Sequence, residues 1–413
     1  MQSNTVIEKL PNGLVLLAEP MPWLQSAAFT LLVPCGLQRE TEAKSGMAGI
    51  TLEMVQRGAG ERDSRGIVDA LDFLGVDRSS SVSTFHSIFS AAMLSEALIP
   101  TLEIYADIVQ RPHLPDEELE DAKQVALQEL RSTEDDPAHK CLRELKRMRY
   151  SDPYGRSAYG SESGIESVLL PDVQEMVSAH FRPKGAILAV AGKFEWATLR
   201  KKIEALFGGW NGGDALVLPE PDVRSGVRHI AHDSAQTHIA LAYDCVPYSH
   251  PEYYHTRGLV GVLSDGMSSR LFSEVREKRG LVYTVSASCQ STYTRGSVLC
   301  YAGTTSERAQ ETLEVTIQTI KDLAKGITDE ELSRLKIRVK TALVMEQESS
   351  MSRSSQIAAD WFHLGRIPAR SEVAAKIEAL TGPLLVEHFE RHPATNWSLV
   401  TLGDQPLELP SGI

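Results

Sequence analysis

The sequence predicts a mixed helix-and-strand protein built from two similar halves, and three observations carry that reading. Asp329-Glu330-Glu331-Leu332 repeats Asp116-Glu117-Glu118-Leu119 at an offset of 213 (329 − 116), each opening a long stretch of helical apolar spacing. His388-Phe389, Pro393 and the apolar run from Ser398 to Gly403 repeat His180-Phe181, Pro183 and the run from Ala186 to Gly192, with the histidines 208 apart (388 − 180). Residues 211–222, first Gly-rich and then Pro-rich, separate the two copies. Several matches in one order at nearly one offset point to duplication. The expected halves are 1–212 and 224–413, joined by a linker over 213–223.

Each element follows from local pattern. Leu10-Pro11-Asn12-Gly13-Leu14 is a tight-turn signal between two short apolar runs and joins two strands. Residues 26–34 read as a buried strand stopped by Pro34, and a polar loop from Gly36 to Gly46 leads into a helix starting near Met47. An amphipathic helix over 65–75 closes on Gly75. The stretch from Ser79 to Phe89 alternates and is rich in β-formers, so it reads as one strand. Acidic residues in the first turn start the helix after Pro115, and a second helix follows Pro137. A helix over 171–181, the strand ending at Gly192 and a helix over 195–207 complete the first half.

Composition narrows the function classes. With 42% hydrophobic and 23% charged residues, the chain of 413 residues has enough apolar material for a full core. A net charge of −13 argues against nucleic acid and against an anionic membrane surface as partners. Cys35, Cys141, Cys245, Cys289 and Cys300 are scattered, odd in number and without a C-x-x-C pair, which predicts reduced thiols. The first residues show no basic patch followed by an apolar run, and no stretch is long enough to span a bilayer. The expected location is cytoplasmic, or periplasmic if a leader has been removed.

Chemistry is concentrated in two segments. The first is Gly46-Met47-Ala48-Gly49-Ile50-Thr51-Leu52-Glu53-Met54-Val55-Gln56-Arg57-Gly58. It resembles the active-site helix of the pitrilysin/insulinase family of zinc peptidases, in its smaller mitochondrial-processing-peptidase-like branch, which reads roughly G-L-A-H-x-x-E-H-M-x-x-x-G. In that H-x-x-E-H motif two histidines hold zinc and the glutamate activates water. Here Gly49 stands for the first histidine, Leu52 for the glutamate and Glu53 for the second histidine. Glu129 sits where the third ligand is expected, 76 residues on (129 − 53). Two carboxylates without an imidazole do not make the tetrahedral site that zinc requires. The expected site is degenerate, with no metal and no cofactor on this chain.

The second segment runs from Ser264 to Tyr283, Ser-Asp-Gly-Met-Ser-Ser-Arg-Leu-Phe-Ser-Glu-Val-Arg-Glu-Lys-Arg-Gly-Leu-Val-Tyr. It resembles the family's G-x-G-M-S-S-R-L-F-x-x-x-R-E-K-x-G-L-x-Y signature. The arginine and tyrosine of that signature fall on Arg276 and Tyr283, seven apart (283 − 276). The resemblance implies that these two donors hydrogen-bond substrate backbone and stabilise a developing oxyanion. The bland alternative pairs Arg276 with Glu274 or Glu277 on a helix surface and buries Tyr283 in the core.

What the resemblance implies for the whole chain, from about Leu10 to Asp404, is an α+β fold of two duplicated α/β-sandwich halves closing as a clamshell around a peptide. It implies an edge strand at Ser79, Ser81 and Ser83 to which an extended peptide adds. It also implies a partner: a homologous subunit bearing H-x-x-E-H and the zinc, with this chain as the substrate-positioning member of a heterodimer. A self-associating peptide-binding pseudopeptidase, or a scaffold like the core subunits of the respiratory cytochrome bc complex, is the alternative.

The remaining histidines are candidates for a relocated metal. His229 and His232 are three apart on an expected strand and diverge. His250 and His255 flank a helix start without a third partner in the local sequence.

Overall fold

The computed structural model describes residues 5–214 and 217–411. Ala215 and Leu216, part of the expected linker, lie outside the described residues. The first sheet contains β1 (Val6–Lys9), β2 (Val15–Pro20), β3 (Ser26–Val33), β6 (Asp77–Val82), β7 (Ser87–Leu94) and β8 (Ile187–Gly192). A two-residue ribbon of β4 (Gly58–Ala59) and β5 (Arg62–Asp63) stands apart. The second sheet contains β9 (Gly226–Ala231), β10 (Gln236–Cys245), β11 (Val282–Ser291), β12 (Gly296–Thr305) and β13 (Ser398–Gly403).

The two sheets repeat one topology. Their orders are β1-β2-β8-β3-β7-β6 and β11-β12-β10-β13-β9. Reading the second backwards, β9, β13, β10, β12 and β11 take the places of β2, β8, β3, β7 and β6. The pairings agree at every step: β2 with β8 and β9 with β13 are parallel, and the other three pairs are antiparallel. The duplication expected from short sequence matches is therefore a duplication of the fold, with β1 added to the first copy.

The chain forms two compact units, and each is discontinuous. The first comprises residues 1–131, 156–218 and 344–369; the second comprises 132–155, 219–343 and 370–413. The linear boundary between 212 and 224 is thus crossed twice by helices that serve the other half's sheet.

Those helices explain why the strands are buried along their whole length. Strand side chains alternate between faces. Leu14, Leu16, Phe29, Leu31, Leu188 and Val190 enter the main core of the first unit with the helix Leu98–Gln110. The intervening Val15, Leu17, Leu32, Ile187 and Ala189 pack against Ile357 and Ala358 of the helix Ser350–Leu364. The second sheet does the same. Ile239, Leu241, Val298, Cys300 and Leu399 face one core, while Ala240, Ala242, Leu299, Val400 and Leu402 pack on Cys141 and Leu145 of the helix Pro137–Arg149. A strand covered on both faces reads as a continuous apolar run rather than an alternation.

Each exchanged helix is also pinned by a buried arginine. Arg353 donates to Glu19 at 2.9 and 2.7 Å, in the first unit. Arg149 donates to Ser297 at 2.8 Å, to the Asn396 carbonyl at 2.7 Å and to Asp244 at 2.5 Å, in the second. Local signals set the helix bounds. Asp136 caps the first through the N–H groups of Ala138 and His139, and Ser349 caps the second through Ser352. Gly365, at φ 63°, ends it.

One strand differs from expectation. The stretch 79–89 is not a single strand: β6 ends at Val82, and Ser83 to His86 make a turn into β7. Ser83 closes that turn, its hydroxyl and N–H both donating to the His86 carbonyl, at 3.1 and 2.8 Å. Gly36 makes room for it, since a Cβ there would lie 2.4 Å from the Phe85 carbonyl carbon. No helix among the described residues is long and apolar enough to cross a membrane.

Candidate functional site

The degenerate motif lies on the short helix Met47–Met54 of the first unit. Its start is fixed by Glu40, a buried carboxylate that accepts from Gly46 N–H at 2.7 Å and from Ala48 N–H at 3.3 Å. Leu52, at the position of the family's base, is 5% exposed and belongs to the core. Gly49 is not demanded by packing: a Cβ there would meet only the Ala158 carbonyl oxygen, at 3.8 Å.

Glu53 is held by an ion pair. Arg57, one turn further on, bonds it at 3.0 Å and reaches Glu118 at 3.1 Å. Glu129, on the helix Leu119–Glu134, is close enough for the Glu53 charge to matter. Burial first, and the Glu53 carboxylate second, push its carboxyl above the usual range. The structure thus brings Glu129 near Glu53, which Arg57 holds. This set supplies no imidazole, and the residues at 49, 52, 53 and 129 do not fit a zinc centre.

The adjacent edge is β6, the last strand of its sheet. Ser79 and Ser81 are exposed there. Ser80, on the opposite face, is the serine that touches the motif helix, accepting from Gln56 at 3.2 Å. Ser83 lies beyond the strand's end. Sequence reasoning missed Arg57, Gln56 and Glu40, although a glutamate followed four residues later by an arginine is a readable helix pair.

The second segment belongs to the second unit, and its backbone is irregular at both expected residues. Arg276 lies in the π-helical stretch Phe272–Glu277. It is exposed, and its guanidinium sits 4.8 Å from the centre of the Phe272 ring. Glu274, the expected competitor, is occupied by Lys278 at 2.5 Å and Arg279 at 2.9 Å. Tyr283 is the extra residue of a bulge in β11, because Val282 faces Thr304 while Thr284 faces Gly303. It is 75% exposed. Neither side chain has a hydrogen-bond or ion-pair partner among the described residues, so the surface-pair and core readings both fail.

Arg270 of the same segment has a structural role that the motif did not reveal. It holds Glu331 with two bonds, 2.6 and 2.9 Å, and donates to the Asp322 and Gly326 carbonyls at 3.0 and 2.6 Å.

Comparison with known proteins identifies the family and the fold. Residues 15–162 match the model of the insulinase family, peptidase family M16, and residues 167–339 match that of the peptidase M16 inactive domain. The chain belongs to the insulinase family. An uncharacterized zinc protease of Rickettsia felis is 28% identical over 376 residues, covering 90% of this chain and 91% of that protein. An uncharacterized zinc protease of Bacillus subtilis is 26% identical over 374 residues, covering 89% and 91%. A peptidase M16 inactive domain from Pseudomonas fluorescens has the same fold, with a TM-score of 0.89 at 22% identity over 98% of this chain and all 100% of that one. A protease from Helicobacter pylori has a TM-score of 0.88 at 20% identity, covering 97% and 99%. This insulinase-family member carries Gly49, Leu52 and Glu53 in place of H-x-x-E-H.

Proposed function

We propose that this insulinase-family chain is the subunit without a catalytic zinc in a two-chain metallopeptidase, and that it positions an extended peptide for a partner carrying H-x-x-E-H. The observation that supports this most is the state of Arg276 and Tyr283. Two long-reach donors stand exposed, without hydrogen-bond or ion-pair partners among the described residues, on a π-helical turn and a β-bulge, two backbone features that cost regular hydrogen bonding. A scaffold has no use for that arrangement. Guanidinium and phenol both donate, so they suit a peptide carbonyl on which negative charge builds up. The chain brings no catalytic zinc of its own, and the metal and its water belong to the partner.

The open edge of β6 supplies backbone groups for strand addition by a peptide, with Ser79 and Ser81 beside it. All five cysteines are free thiols, which suits a reducing, cytoplasmic setting.

The test is co-purification of the tagged chain from its native cells, followed by reconstitution. A stoichiometric partner bearing H-x-x-E-H, with peptide hydrolysis by the pair and none by this chain alone, is the expected result. In that pair Arg276→Ala lowers turnover at least 100-fold, the scale of losing one oxyanion donor. Recovery of this chain only as copies of itself, without a zinc-bearing partner, would assign it to the peptide-binding pseudopeptidases.

A further inference from the structure

His255 lacked a third partner in its own stretch of sequence, and the fold supplies one. Among the described residues of the second unit, Glu252, His255 and His388 place one ligand atom each within 4.8 Å of one another. Glu252 and His255 are three apart at the start of the helix Tyr253–Ser264, and His388 lies on the helix Gly382–Arg391. His392, the residue that ends this helix, comes within 3.4 Å of Glu252 Oε2 through Nε2.

We propose that Glu252, His255 and His388 form a binding site for a divalent transition-metal ion of the zinc type, with His392 or water as the fourth ligand. The distances suit such an ion. Zinc bound about 2.1 Å from each of its ligands separates them by roughly 3.4 Å in a tetrahedron. Glu252 Oε2 is 3.0 Å from His388 Nδ1 and 3.4 Å from His392 Nε2.

Three further observations point the same way. His255 Nδ1 is buried and has no hydrogen-bond partner among the described residues, an expensive state for a ring nitrogen that a metal would relieve. The groups around the site are arranged as an outer shell. Arg391 holds the other oxygen of Glu252 at 2.7 Å, and the Thr256 hydroxyl lies 2.8 Å from His388 Nε2, ready to accept its proton once Nδ1 is metallated. The His388 ring centre lies 5.3 Å from that of His255 and 4.8 Å from that of His392, so the imidazoles gather around the Glu252 carboxylate. Two imidazoles and a carboxylate favour a borderline ion over magnesium or calcium.

This site is separate from the degenerate motif, which lies in the first unit. Its role is structural: one ion joins the start of one helix to the end of another within the second unit.

The experiment is equilibrium dialysis of the full chain against Zn²⁺, with Co²⁺ absorption as a spectroscopic probe of coordination. One zinc per chain with a tetrahedral cobalt spectrum is expected, together with a rise of several degrees in Tm on zinc addition. His255→Gln, at a half-buried residue whose Nδ1 makes no hydrogen bond, should weaken binding at least tenfold without changing the metal-free Tm. Glu129→Gln, at the degenerate motif, should leave binding unchanged. Absence of binding, unchanged affinity in His255→Gln, or loss of the metal in Glu129→Gln would each overturn the proposal.

Discussion

Glu53 and Arg57 form an ion pair of 3.0 Å across one helical turn, at the position where the family's second zinc-binding histidine would stand. The pair converts a metal-ligand position into a helix-surface bridge, since Arg57 continues to Glu118 at 3.1 Å. It leaves Glu129 facing a neighbour of like charge.

That charge has a sign that can be tested. The folded protein holds the Glu129 carboxyl above its ordinary range, first by burial and then by Glu53. A carboxyl with a raised folded pKa destabilises the fold as pH rises through the carboxyl range, and contributes nothing below it. Glu129→Gln should therefore gain about 0.3 kcal/mol at pH 7, a value kept small by solvent screening, and nothing at pH 3. Urea melts at the two pH values measure the difference.

Gly49 carries an avoidable cost. It sits inside a helix, and a Cβ would meet nothing closer than 3.8 Å. Gly49→Ala should stabilise the chain by about 0.5–1 kcal/mol. A loss of stability on denaturant titration would mean that the site has no room for a side chain.

Glu331 is expected to dominate part of the acid limb. Burial raises its carboxyl, but the two bonds from Arg270 and the Thr328 N–H outweigh burial and hold it at about 2. A depressed carboxyl stabilises above its unfolded pKa, and that stability is lost as pH falls from about 4.5 towards 2. Glu331→Gln should cost about 1.5–3 kcal/mol at pH 7, because Arg270 keeps its bonds to the Asp322 and Gly326 carbonyls but loses its counter-charge. The gap from the unsubstituted chain should close across that window in thermal melts.

Arg276→Ala and Tyr283→Phe should change stability by less than about 0.5 kcal/mol, because neither group has a hydrogen-bond or ion-pair partner among the described residues and the Arg276 contact with the Phe272 ring is exposed. Calorimetry on both variants checks this. Losses above 1–2 kcal/mol, the order of a lost internal bond, would give the two residues a structural role.

Much of this was legible in the sequence. The strand ending at Gly192 and its copy ending at Gly403 were read from apolar runs and glycine, and both strands stand where expected. Arg276 and Tyr283 were found by their motif, but their π-turn and bulge were not, since neither leaves a periodic signature. The hairpin at Ser83 was hidden because β-formers run through the turn, and the bend depends on Gly36, distant in sequence. His388 could not be joined to His255 across 133 residues (388 − 255) by any local rule. The exchanged helices are invisible for the same reason: an amphipathic pattern states that a face is covered, not which sheet covers it.

The exchange of helices sets an order of events during synthesis. Strands of the first sheet are complete at Gly192, but the helix covering one of its faces begins at Ser350, 158 residues later (350 − 192). A nascent first half therefore emerges with an apolar face bare, while its helix Pro137–Arg149 waits for a sheet not yet made. Neither half is a folding unit, and a cut in the linker would yield two fragments that reach the native state only by finding each other.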